Sequence, residues 1–134
     1  MANYTGKGRT NYFKVKDLDA FIEAISQLPV EYHFDAKGEA LMVMDDDPDG
    51  GGWNNGYWDE ETGEWEEIDL AKIIAEHLCD EEVAVILEVG SEKYRYLSGY
   101  AEAVNNRGES RSVNLNQIYN LAKELGSHIT DASY

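Results

Sequence analysis

The chain predicts an α+β domain: a mostly antiparallel, twisted sheet of about six strands, with about three helices packed on one face. Three observations carry this. Extended runs are joined mainly by short turns, such as Ala36-Lys37-Gly38 and Asn105-Asn106-Arg107-Gly108, and short turns force antiparallel neighbours. Each segment of helical period has a single apolar stripe, so each has one face to bury. And 134 residues, 43 % of them apolar, suffice for one sizeable core. A mixed sheet with one parallel pair bridged by a helix is the alternative, because both halves of the chain contain a strand, helix, strand order.

Taken in order, Asn11 to Lys16 alternates aromatic or branched residues with lysines, the period of a half-buried strand. Asp17 stands at an N-cap position before Leu18, Phe21, Ile22, Ile25 and Leu28, a helical stripe that Pro29 closes. Val30–Asp35 and Glu39–Met44 read as a hairpin. Tyr57-Trp58 and Glu64-Trp65 flank Thr62-Gly63, so a small hairpin tipped by Glu60 and Glu61 is expected. Asp69 caps a second helix with the stripe Leu70, Ile73, Ile74, Ala75 and Leu78, ending near Cys79-Asp80. Val83 to Val89 is an almost continuous apolar run, which predicts a central strand covered on both faces and ended by Gly90. Tyr94–Val104 and Glu109–Val113 follow as strands. Asn114, with Gln117 in capping-box spacing, opens a last helix along Leu115, Ile118, Leu121, Ala122 and Leu125, with Gly126 at its end. Residues 127–134 have no pattern and are expected to form a disordered tail. The whole of 1–134 reads as one domain, since two prolines, no Ser/Gly linker and no repeat give no sign of a second.

The chemistry concentrates in the loop 45–69. Its 25 positions hold 11 carboxylates, no Lys or Arg, and all three tryptophans, Trp53, Trp58 and Trp65. Closely spaced like charges repel, and a buried carboxylate loses its hydration, so this stretch must be solvated or met by something positive. Charge is segregated along the chain: residues 1–16 carry +4, 17–92 carry −21 and 93–134 carry +1, for a net −16. A contiguous acidic sector repels nucleic acid and anionic membrane and attracts cationic surfaces, so direct nucleic-acid binding is the reading it disfavours most. Aromatics anchor interfaces and acids around them steer toward a basic partner. The expected partner-binding residues are therefore Asp45, Asp46, Asp47, Asp49, Trp53, Trp58, Asp59, Glu60, Glu61, Glu64, Trp65, Glu66 and Glu67. Tryptophans that form the loop's own small core would look the same in sequence, and both readings stand at this point.

Other chemistry is weakly represented. Asp45, Asp47 and Asp49 with Gly50 spell D-x-D-x-D-G, the opening of a calcium loop in which alternate carboxylates converge on a hard cation. The twelfth position is Gly56 where a bidentate Glu is needed, Pro48 sits inside, and ALMVM before it reads as a strand and not an entering helix. A calcium-binding module at those three aspartates is thus the alternative to an interaction surface, and no other cofactor is expected. His33, His77 and His128 are isolated, and Cys79 is alone, which opposes a transition-metal site and suits a reducing cytosol. No nucleophile elbow or phosphate-binding glycine loop occurs, and no candidate residue has a catalytic partner; an enzyme with a carboxylate-based site is the further alternative. Neither a span of roughly 20 apolar residues nor the apolar core of a signal peptide is present, so a cytoplasmic protein is expected.

With its size, its charge, the composition of Asp45 to Asp69, and the segments TNYFKVKDLDAF and EVAVILEVGSEKYRYLSGYA, the chain resembles small acidic proteins encoded by phages and mobile elements. These include antirestriction and anti-CRISPR inhibitors that imitate DNA by presenting carboxylates at phosphate-like spacing. The resemblance implies a partner with a basic, nucleic-acid-binding surface in the host cytoplasm, and inhibition by occupancy. Those inhibitors share no common motif, so no catalytic residue carries over.

Overall fold

The computed structural model describes residues 4–45, 53, 56–67, 69–92 and 96–132. The elements run β1 (Tyr4–Thr10), α1 (Leu18–Ile25), β2 (Val30–Phe34), β3 (Leu41–Asp45), β4 (Gly56–Asp59), β5 (Glu64–Glu67), α2 (Leu70–His77), β6 (Val83–Glu92), β7 (Tyr96–Asn105), β8 (Ser110–Asn114), then a 3-10 turn (Leu115–Gln117) leading into α3 (Ile118–Ala122). Six strands form one sheet in the order β2-β3-β1-β6-β7-β8, every described ladder antiparallel, and β4-β5 form a separate two-stranded ribbon. The α+β class and the antiparallel sheet are as the sequence predicts.

Local chemistry sets the helix starts. The Asp17 carboxylate accepts from the Ala20 N–H at 3.2 Å and the Asp69 carboxylate from the Lys72 N–H at 3.3 Å, each meeting one of the donors a helix start leaves unpaired. Asn114 and Gln117 close the expected capping box. The hairpin β2-β3 turns at Asp35, whose Oδ1 accepts from the N–H groups of Glu39 (2.9 Å) and Ala40 (3.2 Å), while Gly38 takes the left-handed φ of 72°.

The core lies on one face of the sheet, under α1 and α2. Phe21 and Ile25 from α1 and Leu70, Ala71, Ile74 and Ala75 from α2 pack with Phe13, Leu41, Val43, Ala84, Ile86 and Val104. Phe21 is fully buried, meeting Phe13 edge-on at 5.8 Å between ring centroids and the His77 ring at 5.5 Å. His77 is thus a half-buried lid on the core.

The first strand, the strand β6 and the last helix differ from expectation. The first strand is Tyr4–Thr10, not 11–16. The Asn11 side chain accepts from the Val85 N–H at 2.8 Å and donates to the Val83 carbonyl at 3.1 Å, replacing ladder bonds and ending the strand, and beyond it only Phe13 and Val15 make isolated bridges. The strand β6 is not covered on both faces: Ala84 and Ile86 are buried inward, whereas Val83, Leu87 and Val89 are exposed on the far side. Nor does Gly90 end it, because it pairs with Gly6 on one side and Ser98 on the other, carrying the ladder to Glu92. The last helix is short, and its stripe buries nothing. In the expected tail, the Ala132 N–H donates to the Tyr119 hydroxyl at 2.8 Å. Among the described residues no helix is long and apolar enough to cross a membrane.

Candidate protein-docking surface

The acidic stretch leaves the sheet at Asp45, the last residue of β3, which is buried and points inward. Its Oδ2 accepts a short hydrogen bond from the Gly8 N–H of the neighbouring strand. Asp45 is therefore held inside the fold, one end of the loop with it. The other anchor is Trp53. Its backbone N–H donates to Glu88 Oε1 at 2.8 Å and its indole Nε1 to the Leu87 carbonyl at 3.1 Å. The ring packs against the core, over Gly8: a Cβ at position 8 would stand 2.5 Å from the indole Nε1. Glycine is needed there because the tryptophan occupies the space a side chain would take. Trp53 is thus a structural anchor on the β1-β6 pair. Asp46, Asp47 and Asp49 lie outside the described residues, and so does the calcium loop that needs them.

The ribbon β4-β5 carries the remaining expected residues. Its turn is built by Asp59, whose Oδ1 accepts from the N–H groups of Glu61 at 2.9 Å and Thr62 at 3.4 Å, while Gly63 adopts a φ of 69° and donates to the Asp59 carbonyl at 2.8 Å. That leaves Glu60 and Glu61 exposed at the tip. Asp59 stands opposite Glu64 in the register, Tyr57 opposite Glu66, Trp58 opposite Trp65, and Gly56 opposite Glu67. Successive strand residues point to opposite faces, so Glu64 and Glu66 share the face of Asp59, and Trp65 and Glu67 share the other. Trp65 is 54 % exposed, whereas the side chain of Trp58 lies outside the described residues. Glu64, Glu67 and Trp65 are open to solvent, and Asp59 and Glu66 are half-buried.

Among the described residues no cation pairs with these acids. The described residues contain three ion pairs, Lys14 with Glu39 at 3.7 Å, His33 with Glu31 at 3.5 Å, and Arg107 with Glu109 at 2.7 Å, and none involves the ribbon. Like charges set opposite one another, as Asp59 and Glu64 are, destabilise a ribbon, and so this arrangement works against the stability of the element that carries it.

Elsewhere the chemistry is quieter. A groove of about 440 Å³ runs between α2 and the β7-β8 turn, with Glu76, Glu102, Lys72 and Arg107 among its lining residues. On the same strand as Glu102, the Tyr100 hydroxyl donates to its carboxylate at 3.1 Å; partial burial first, then the Glu102 charge, push the Tyr100 phenol above its ordinary range. The groove pairs no nucleophile with a base. No three His, Cys, Asp or Glu side chains converge as a metal site among the described residues. The role of Trp53 was beyond sequence reasoning, because its partner Gly8 lies 45 positions away. The chain matches no family model, and no curated protein or solved structure is detectably similar to it.

Proposed function

We propose that the protein is an acidic interaction module that binds a positively charged nucleic-acid-binding protein, of the restriction or CRISPR nuclease kind, and inhibits it by occupying the surface nucleic acid would take. The observation that carries this is the β4-β5 ribbon, which holds Glu60, Glu61, Glu64 and Glu67 in solvent beside an exposed Trp65, with no cation of the described residues paired to any of them. Along a strand, alternate carboxylates stand about 7 Å apart, and across a ribbon about 5 Å, a density comparable with the charge of a nucleic-acid backbone. Arg and Lys side chains that clamp phosphates form equally good charge-assisted bonds with carboxylates. Trp65 supplies the apolar anchor such an interface needs at its centre.

The test is a pull-down from host lysate at low and high salt, followed by a nuclease assay on what is recovered. A basic nucleic-acid-binding protein, retained at low salt, released at high salt and inhibited in cleavage, is expected. Recovery of none at low salt would refute the reading. Glu60→Lys with Glu61→Lys should weaken association by roughly tenfold or more, whereas Glu124→Lys with Asp131→Lys, the same change in net charge outside the acidic sector, should not. Equal losses would mean that net charge alone, and not the ribbon, does the binding.

A further inference from the structure

The far side of the sheet has the opposite character. Register puts Val83, Leu87 and Val89 of β6, Leu97 and Ala101 of β7, and Val113 of β8 on one outward face, side by side. The five large side chains among them are between 42 % and 62 % exposed. Beside this face, Leu115 seats over Gly99, where a Cβ would meet its Cγ at 2.9 Å, and the stripe Ile118, Leu121 and Leu125 follows without burial, Leu125 being 92 % exposed. The chain's own helix does not close the face, because Asn114 is both the last residue of β8 and the cap of the turn, so the helix starts at the sheet edge with no connecting residues.

The charge on this face is equally distinctive. Among the described residues, the outward positions of β1, β6, β7 and β8 include Lys7, Arg9 and Arg111 and not one Asp or Glu, in a chain with 27 acids. Of the sheet's described acids, Asp45, Glu88, Glu92 and Glu102 take inward positions, and the outward Glu31 lies on the far edge strand β2, beside His33.

We propose that this outward face, with the stripe of the C-terminal helix, is the interface of a symmetric dimer of the chain. The uncovered apolar surface is on the order of 1,000 Å², beyond the roughly 300–600 Å² of the largest patch on a typical monomer and comparable with the roughly 800 Å² each partner gives to a stable complex. The face offers two unpartnered features of complementary shape, an open sheet strip and an amphipathic stripe, and a two-fold axis lays the stripe of each copy on the strip of the other. Charge selects the same occupant. Two chains of net −16 meet with least repulsion where neither has an acid, whereas a basic partner finds cations here and is turned toward the other side.

Sedimentation equilibrium across a micromolar dilution series tests this. The wild-type chain should reach twice its 15.1 kDa mass. Leu121→Glu and Val89→Glu should each raise the dissociation constant roughly thirtyfold or more, as loss of a central interface contact does, with an unchanged circular dichroism spectrum because both residues are exposed in the monomer. Glu60→Lys with Glu61→Lys, on the acidic ribbon, should leave dimerisation intact. A wild-type chain that stays at 15.1 kDa, or a dimer whose dissociation constant ignores Leu121→Glu and Val89→Glu but responds to the ribbon variant, would overturn the proposal.

Discussion

The contact between Gly8 and Trp53 anchors the acidic loop within its length, and Gly8→Ala attacks it with a single methyl group. That methyl would lie 2.5 Å from both Nε1 and Cε2 of the indole and 3.0 Å from Cδ1. Ordinary carbon contacts need about 3.5–4 Å, so the ring must withdraw by about 1 Å or more. The indole bond to the Leu87 carbonyl, already 3.1 Å long, then leaves hydrogen-bonding range. Overpacking costs about 1–3 kcal/mol, and a lost hydrogen bond that water partly replaces adds about 0.5–1.5 kcal/mol. Because the tryptophan sits on a loop that can give, a total of about 2 kcal/mol is expected, equivalent for a chain of this length to a fall in Tm of about 6–10 °C. Urea unfolding followed by far-UV circular dichroism measures it, since that signal survives removal of the tryptophan. The decisive comparison is a double-mutant cycle with Trp53→Ala. In that background the methyl meets no ring, and Gly8→Ala should be neutral, or stabilising by up to about 1 kcal/mol, because alanine restricts the unfolded chain more than glycine does. If Gly8→Ala costs the same with and without Trp53, within about 0.5 kcal/mol, the two positions are not coupled and the anchoring argument fails.

Two further outcomes follow from the same geometry. Backbone N–H groups, that of Ala40 foremost, hold the exposed Asp35 carboxyl below its ordinary value of 3.8. A group whose folded pKa is depressed stabilises the fold above the unfolded value and loses that contribution as pH falls through the folded one, so the stability gap between wild type and Asp35→Asn should be full near neutrality and narrow below about pH 4; parallel stability curves would refute this. In the core, Phe21→Ala removes a fully buried ring wedged between Phe13 and His77 and should cost about 3–5 kcal/mol in the same unfolding measurement, and a loss under about 1 kcal/mol would mean that the helix α1 is not seated as described.

What was legible in the sequence was what local chemistry decides. Asp17, Asp69 and Asn114 cap helices, Gly38 turns the β2-β3 hairpin, and Thr62-Gly63 turns the acidic ribbon, each within a few residues of the group it serves. What was hidden depends on partners distant in the chain. The central strand β1, YTGKGRT, has almost no apolar signal, because one of its inward positions must stay empty for Trp53 and another, Thr10, is fully buried with its hydroxyl accepting from the Val43 N–H at 2.9 Å. In β6 an apolar residue at nearly every position looks alike whether its second face meets a layer of helix or lies open, and only the positions of the helices distinguish the two. The same holds for the last stripe, which reads as a core helix and buries nothing. Of the candidate surface, the position of the ribbon was legible and the inward turn of Asp45 was not, since only the Gly8 N–H across the sheet explains it.

The outward positions of β1, β6, β7 and β8 hold Lys7, Arg9 and Arg111 and no acid among the described residues, so charge is distributed unevenly over the sheet. In the field of a basic surface the acid-free part of the outward face, with Lys7, Arg9 and Arg111, is repelled while the acidic sector is drawn in. Ionic strength then acts in opposite senses on the two sides: added salt screens attraction at the acidic side and lessens repulsion between two copies at the other. A single variable therefore separates the two proposed associations: binding to a basic partner should weaken as salt rises, and the dimer should tighten.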